Sequence, residues 1–223
     1  VLARWAFEHK RRFVYASSAA TYGGGEQGYS DDDRTTLTLR PLNMYGFSKH
    51  AFDLWLLKNR AQGRCAGLKF FNVFGPNEYH KGDMRSMVHK GYEQIEHDGR
   101  IALFRSYRPD FADGEQKRDF IYVKDTVTAI YHCLVNPDVN GIFNVGSGKA
   151  SSWNELASAL FDAMGMTPRI EYIDMPQALR GKYQYFTEAK MDKLRQAGFD
   201  AKPTALIEAV TDYVHILKGD GCL

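Results

Sequence analysis

The segment Tyr45-Gly46-Phe47-Ser48-Lys49 sets a phenol and an ammonium four residues apart, on one face of any helix that contains them. A free tyrosine titrates near ~10 and is a poor base at neutral pH. A fixed ammonium beside it favours the phenolate and lowers that value by about one unit or more. Such a pair could take a proton from an alcohol. Taken alone the spacing is common, because a solvated helix face often carries Tyr and Lys four apart. It gains weight from Ala16-Ser17-Ser18-Ala19, which ends the apolar run Phe13-Val14-Tyr15-Ala16. Ligands bind at the carboxyl ends of parallel strands, so Ser18 could hydrogen-bond the same oxygen that Tyr45 deprotonates. Small residues easing a tight strand exit are the other reading of Ser17 and Ser18, and it is expected to hold for one of the two.

Two glycine-rich segments carry less. Gly23-Gly24-Gly25-Glu26-Gln27-Gly28 has GxGxxG form, but it continues into Tyr29-Ser30-Asp31-Asp32-Asp33. A dinucleotide fingerprint needs a helix there with its amides aimed at the pyrophosphate, and an acidic run would repel phosphate, so the segment reads as a loop. Gly146-Ser147-Gly148-Lys149-Ala150-Ser151 ends like a phosphate-binding loop, yet Phe143 stands where its first glycine should be and Ala150 where Ser or Thr should be. A turn into a capped helix explains it. His9-Lys10-Arg11-Arg12 reads as cations ending a helix rather than a nucleic-acid patch.

The elements that must position these groups alternate. Strands are expected at 13–16, 68–74, 120–123, 142–145 and 170–173, and helices at 45–60, 84–97, 125–136 (with Asp125 as N-cap), 152–164, 187–197 and 204–217. Ser152-Trp153-Asn154-Glu155 has the form of a capping box. The strands are continuous apolar runs, the pattern of a parallel sheet covered on both faces. The expected architecture is α/β, a Rossmann-like doubly wound parallel sheet with a smaller α/β substrate-binding domain. Composition agrees: 223 residues, 44% hydrophobic and 25% charged, make an ordinary globular chain. With 29 Lys and Arg against 27 Asp and Glu the formal charge is +2, which gives no argument for nucleic acid or an anionic membrane. No apolar run approaches the ~20 residues that span a bilayer. Cys65, Cys133 and Cys222 are odd in number and have no metal-ligand spacing. That argues against a disulfide scaffold or a structural metal and fits a reducing cytoplasm.

Ser-Ser-Ala, Tyr-x-x-x-Lys and Phe71-Asn72-Val73-Phe74-Gly75-Pro76 together resemble the extended short-chain dehydrogenase/reductase family of sugar-nucleotide epimerases and dehydratases. Tyr79-His80-Lys81-Gly82-Asp83-Met84, Lys117-Arg118-Asp119-Phe120 and Arg180-Gly181-Lys182-Tyr183-Gln184-Tyr185-Phe186-Thr187 are similar to its ADP-heptose 6-epimerase branch, and the similarity runs along essentially the whole chain. The resemblance implies an NADP-dependent enzyme of lipopolysaccharide-precursor synthesis that inverts C6 of the heptose in ADP-heptose. It implies Tyr45 and Lys81 as acid/base groups on opposite sides of the sugar, and Lys49 as the group that holds the nicotinamide ribose. Ser18 would orient the reacting oxygen, and Val73 would touch the cofactor. Asn72, Arg118 and Tyr183 would bind the sugar nucleotide, with Lys90 and Phe104 in segments that do so. Where some relatives have Ser two positions after the lysine this chain has Asp83, and that contact is not carried over. Read singly, Lys81 is a loop lysine, Arg118 a surface ion pair with Asp119, and Tyr183 a half-buried aromatic. The resemblance also implies a homo-oligomer, pentameric in relatives of this type, and no metal site is expected.

The chemistry asks for such a division of labour. The C–H of an unactivated carbinol is not acidic, so inversion needs a hydride store, a transient ketone and one acid/base group per face. A UDP-hexose 4-epimerase would use the same parts. A dehydratase would carry an acidic pair just before Tyr-x-x-x-Lys, and Arg40-Pro41-Leu42-Asn43-Met44 has none. A non-catalytic module of the same fold is the rival of another class. Residues 1–71 and 119–148 are expected to belong to the dinucleotide-binding domain, and 72–118 and 149–223 to the substrate-binding domain. The chain opens at Val1 with Leu2, Trp5, Ala6 and His9 at helical spacing, as a piece of a longer polypeptide would. In the family a Gly-x-x-Gly-x-x-Gly loop and the first strands precede that point. Without them the sheet would expose an apolar edge and hold its cofactor weakly, so activity is expected of a longer parent chain.

Overall fold

The computed structural model describes residues 1–219; Cys222 lies outside them. Helix α1 (Leu2–Glu8) leads into strand β1 (Val14–Ser18), a 3-10 turn at Ala19–Tyr22, and helices α2 (Asp33–Thr38) and α3 (Met44–Lys58). Strands β2 (Ala66–Phe70) and β3 (Asn72–Phe74), a 3-10 turn at Tyr79–Met84, helix α4 (Met87–Asp98) and strands β4 (Ile101–Phe104) and β5 (Lys117–Tyr122) follow. Helix α5 (Val123–Val135), strands β6 (Gly141–Val145) and β7 (Ala150–Ser152), helix α6 (Trp153–Met164) and strand β8 (Ile170–Ile173) precede α7 (Gln177–Arg180), α8 (Asp192–Gln196) and α9 (Leu206–Lys218).

In the first sheet β1, β2 and β6 lie parallel in the order β1-β2-β6, and buried polar residues (Ser17, Ser18, Lys69, Asn144) stand among their apolar ones. Ser18 stands opposite Phe70, and Phe70 opposite Val145, so the carboxyl ends of the three strands are level. A second sheet has the order β3-β5-β7, parallel at β3-β5 and antiparallel at β5-β7, and β4 pairs with β8 in parallel. One core lies around α4, α6 and α9, with Val88, Ile95, Leu156, Leu160 and Val210 at its centre. Another lies on the first sheet, around Leu68, Phe143 and Leu194. Two buried cysteines, Cys65 and Cys133, are free thiols. No helix among the described residues is long and apolar enough to cross a membrane.

Several boundaries differ from the sequence pattern, each for a physical reason. The run 68–74 is not one strand: it changes sheet at Phe71, whose amide bonds the Val145 carbonyl while β3 moves over to β5. The run holds no glycine or proline to announce that, and its two polar residues, Lys69 and Asn72, lie within the strands. Asp125 does not cap α5, which starts two residues earlier; its carboxylate accepts from the amide and hydroxyl of Thr204 instead. Helix α4 starts at Met87 behind Ser86, and only 192–196 of the expected helix 187–197 is helical. The capping box at Ser152 and Glu155 forms as its sequence predicts.

Two histidines are buried, His50 on α3 and His89 on α4. Burial is the main cause that holds each below the ordinary 6.5. A lowered folded pKa means the unfolded chain takes up the proton first as pH falls through that value, so folding loses stability on the acid side. The melting temperature is expected to fall between pH 7 and about pH 5.5. A His50→Gln/His89→Gln variant should show a shallower fall when melting is followed against pH by calorimetry.

Candidate active site

The amino end of α3 is built for close approach. Asn43 caps it through a 2.8 Å bond from the Gly46 amide. A Cβ on Gly46 would stand 2.6 Å from the Ala20 carbonyl oxygen, so the glycine lets α3 rest directly on the 19–22 turn. Tyr45 and Lys49 lie on one face of the helix, with the Lys49 Nζ 5.8 Å from the centre of the Tyr45 ring. The same Nζ donates to the Ala16 carbonyl at 3.0 Å, which ties the pair to β1. Tyr45 is 57% exposed and open to a ligand. Ser18, at the carboxyl end of β1, is buried and accepts a bond from the Ala20 amide, thereby capping the turn. Ser17 is the structural member of the two serines: it is buried and donates to Asp53 at 2.8 Å.

Three cavities hold other predicted residues; none is lined by Tyr45, Lys49 or Ser18, and only the third reaches the α3 cap. One of about 330 Å³ is lined by Asn72, Val73, Glu78, Lys81, Met87 and Trp153 among others. Lys81 sits on the 79–84 turn with its Nζ 3.8 Å from the Glu78 carboxylate. Glu78 itself is buried, and accepts from the amide and hydroxyl of Ser86 and from the Tyr213 hydroxyl. Those bonds fix the turn that bears Lys81. The second cavity, about 360 Å³ and mostly apolar, has Phe104 and Tyr183 in its wall and shares Met87 and Trp153 with the first. The third, about 170 Å³, is lined by Ala20, Asn43, Arg118, Lys182, Tyr183 and Gln184, so it opens beside the α3 cap. Lys90 is half-buried on α4, three residues after Met87, and lines none of the three.

Arg118 and Asp119 do not form the surface ion pair that adjacent opposite charges suggest. Successive residues of β5 point to opposite faces, and both are buried. Asp119 accepts from Ser147 (amide and hydroxyl), Gly148 N and Ala189 N at 2.6 to 3.0 Å. Burial pushes its carboxyl upward and these donors draw it back. Arg118 lies against the faces of Tyr183 (4.9 Å) and Trp153 (5.8 Å) and donates to the Lys117 carbonyl. It pairs with no carboxylate among the described residues, and burial holds it below its ordinary range. A buried guanidinium with spare donors at a cavity wall is a ready partner for a phosphate.

Likeness to known proteins gives the family. A model of the NAD dependent epimerase/dehydratase family matches residues 1–146. This chain belongs to that family. It is 59% identical over 214 residues to an ADP-L-glycero-D-manno-heptose-6-epimerase of Nitratidesulfovibrio vulgaris, covering 96% of this chain and 66% of that protein. The solved structure of the Helicobacter pylori ADP-L-glycero-D-manno-heptose-6-epimerase superposes with a TM-score of 0.81 at 28% identity, covering 98% of this chain and 63% of that one. The UDP-glucose 4-epimerase of Thermus thermophilus, solved with NAD, has a TM-score of 0.76 at 23% identity over 98% of this chain and 68% of that one, a likeness of fold. The chain thus spans about two thirds of the length of the relatives it matches.

Sequence reasoning did not single out Trp153, Glu78 or Met87. Each sits in a stretch whose local pattern (cap, turn, helix start) already explains it, and only the meeting of α4, α6 and β3 makes them lining. Two substitutions test the arrangement. Asp119→Asn, which turns an amide group toward buried donors, should cost about 2–4 kcal/mol in chemical denaturation. Gly46→Ala should cost about 1–3 kcal/mol by lifting α3 off Ala20, despite the better helix propensity of alanine.

Proposed function

We propose that the full-length protein is an NADP-dependent ADP-heptose 6-epimerase that serves lipopolysaccharide-precursor synthesis in the cytoplasm. The structural observation that carries the reading is the Tyr45–Lys49 pair, anchored by Ala16 beside Ser18 at the strand ends. The 59% identity to a curated epimerase of that name supports the substrate class, and the NAD held by a structural neighbour supports the cofactor class. The donor set fits a nicotinamide ribose: Lys49 spends one N–H on Ala16, which leaves two for ribose hydroxyls. Tyr45, Lys49 and Val73 would hold that half of the cofactor. When bound, it supplies reversible hydride storage for exchange between carbinol and ketone.

The protein's own groups do the rest. Tyr45 takes the C6 hydroxyl proton, and Ser18 holds the same oxygen by a hydrogen bond. Lys81, delivered by a different element and fixed through Glu78, handles the proton on the other face of the sugar. Arg118 clamps the diphosphate, with Tyr183 and Phe104 beside the nucleoside and Asn72 on the sugar. Lys90 stands in the segment that bears on the nucleotide. Because a transient ketone can turn before it is reduced again, two acid/base groups suffice for inversion.

The test uses the full-length protein with each C6 epimer of ADP-heptose and reads the product by NMR. Tyr45→Phe and Lys81→Met should each lower kcat by about 10²- to 10⁴-fold. Arg118→Met should leave the melting temperature unchanged or higher, since it removes an unpaired buried cation, while weakening ADP binding about tenfold or more in calorimetry. Absence of interconversion by the wild type, or a Tyr45→Phe rate within about tenfold of it, would overturn the reading.

A further inference from the structure

Lys69 is fully buried on β2, the central strand of the first sheet, where a strand covered on both faces ordinarily carries an apolar side chain. Its ammonium lies 2.9 Å from the Asp53 carboxylate, also fully buried, and donates to the Thr21 hydroxyl at 2.8 Å. Thr21 in turn donates to the Ser18 carbonyl at 2.8 Å. Asp53 receives two more bonds, from the Tyr15 hydroxyl at 2.7 Å and from Ser17. The Tyr15 phenol reaches it over Gly67, where a Cβ would stand 2.3 Å from the phenolic oxygen. On α3, Tyr45, Lys49 and Asp53 are successive members of one i, i+4 stripe, whose Lys49 and Asp53 bond β1.

The network therefore runs from the helix that bears Tyr45 and Lys49, through Lys69, to the turn that Ser18 caps. Stability does not explain it. A buried ion pair is often no better than an apolar pair of the same volume, whereas its directional bonds fix geometry. We propose that Lys69, with Asp53, is a positioning residue that locks the α3 stripe in register with the Ser18 turn, and so sets the distance between Tyr45 and the oxygen it deprotonates. The proposal rests on the epimerase reading above. It adds a pair outside all three cavities that acts on catalysis through the residues it holds. A displacement of about 1 Å between such groups can cost a hundredfold in rate.

The experiment compares the full-length wild type with Lys69→Met/Asp53→Asn, which removes both charges together and keeps an amide to bond Tyr15 and Ser17. The double variant should melt within a few degrees of the wild type. Its kcat should fall by about tenfold to a hundredfold while KM for ADP-heptose stays within about threefold. Amide hydrogen exchange should quicken in residues 18–23 and 44–50 and stay unchanged in 87–98. A folded double variant with kcat within about twofold of wild type, or with unaltered exchange in those two segments, would overturn the proposal. Thr21→Val, which cuts only the link to the Ser18 carbonyl, gives the same comparison if the double variant does not fold, and a kcat unchanged there would be equally fatal. If the wild type leaves ADP-heptose untouched it is the epimerase reading that fails, and the exchange measurement still decides the clamp.

Discussion

How closely helix α3 lies on the carboxyl end of β1 governs everything else in the site. Three contacts of different physical kinds set that distance: the missing side chain of Gly46 against the Ala20 carbonyl, the Lys49 ammonium on the Ala16 carbonyl, and the Asp53 carboxylate under the hydroxyls of Tyr15 and Ser17. The first is a steric limit, the second a charge–dipole contact at the surface, the third a set of buried directional bonds. Because they fall along one helical stripe, they restrain rotation and sliding of the helix together. In the epimerase reading proposed above, a phenol that has to meet a sugar hydroxyl at hydrogen-bonding distance gains from such restraint more than from any single contact.

Buried charge serves two opposite ends in this fold. Asp119 and Lys69 find polar partners within the protein, and each joins segments that lie far apart in sequence. Arg118, next to Asp119 in the chain, is buried yet stacked on aromatic faces with donors to spare. A satisfied buried charge fixes structure, and one left without its counter-charge at a cavity wall is poised for a ligand that supplies it. The alternation of a β-strand lets two neighbouring residues take these contrary parts.

The fold class was legible because its signals are local and repeated. Apolar runs without alternation, separated by capped helices, announce parallel strands under helices, and the capping box at Ser152 marks one helix start to the residue. Ends of elements were less legible where tertiary partners decided them. Phe71 leaves the first sheet because Val145 and β5 offer its neighbours separate partners, and Asp125 answers Thr204 rather than its own helix. In the site, Tyr45 and Lys49 could be placed on one face from spacing alone, since helix geometry is fixed. Glu78, Trp153 and the third of the cavities could not, since their surroundings come from elements far apart in sequence.

The sequence by itself determined the family, the alternation of strand and helix, and the pairing of a phenol with an ammonium, because all three are written in residue type and short-range period. Only the tertiary structure decided that Arg118 and Asp119 part company, that Ser17 bonds Asp53 while Ser18 caps the following turn, and that Lys69 reaches from Asp53 to Thr21. Those outcomes depend on which side chains meet across sheets and on how deeply each is removed from water. Burial and long-range contact are properties of the folded chain as a whole, and no local pattern records them.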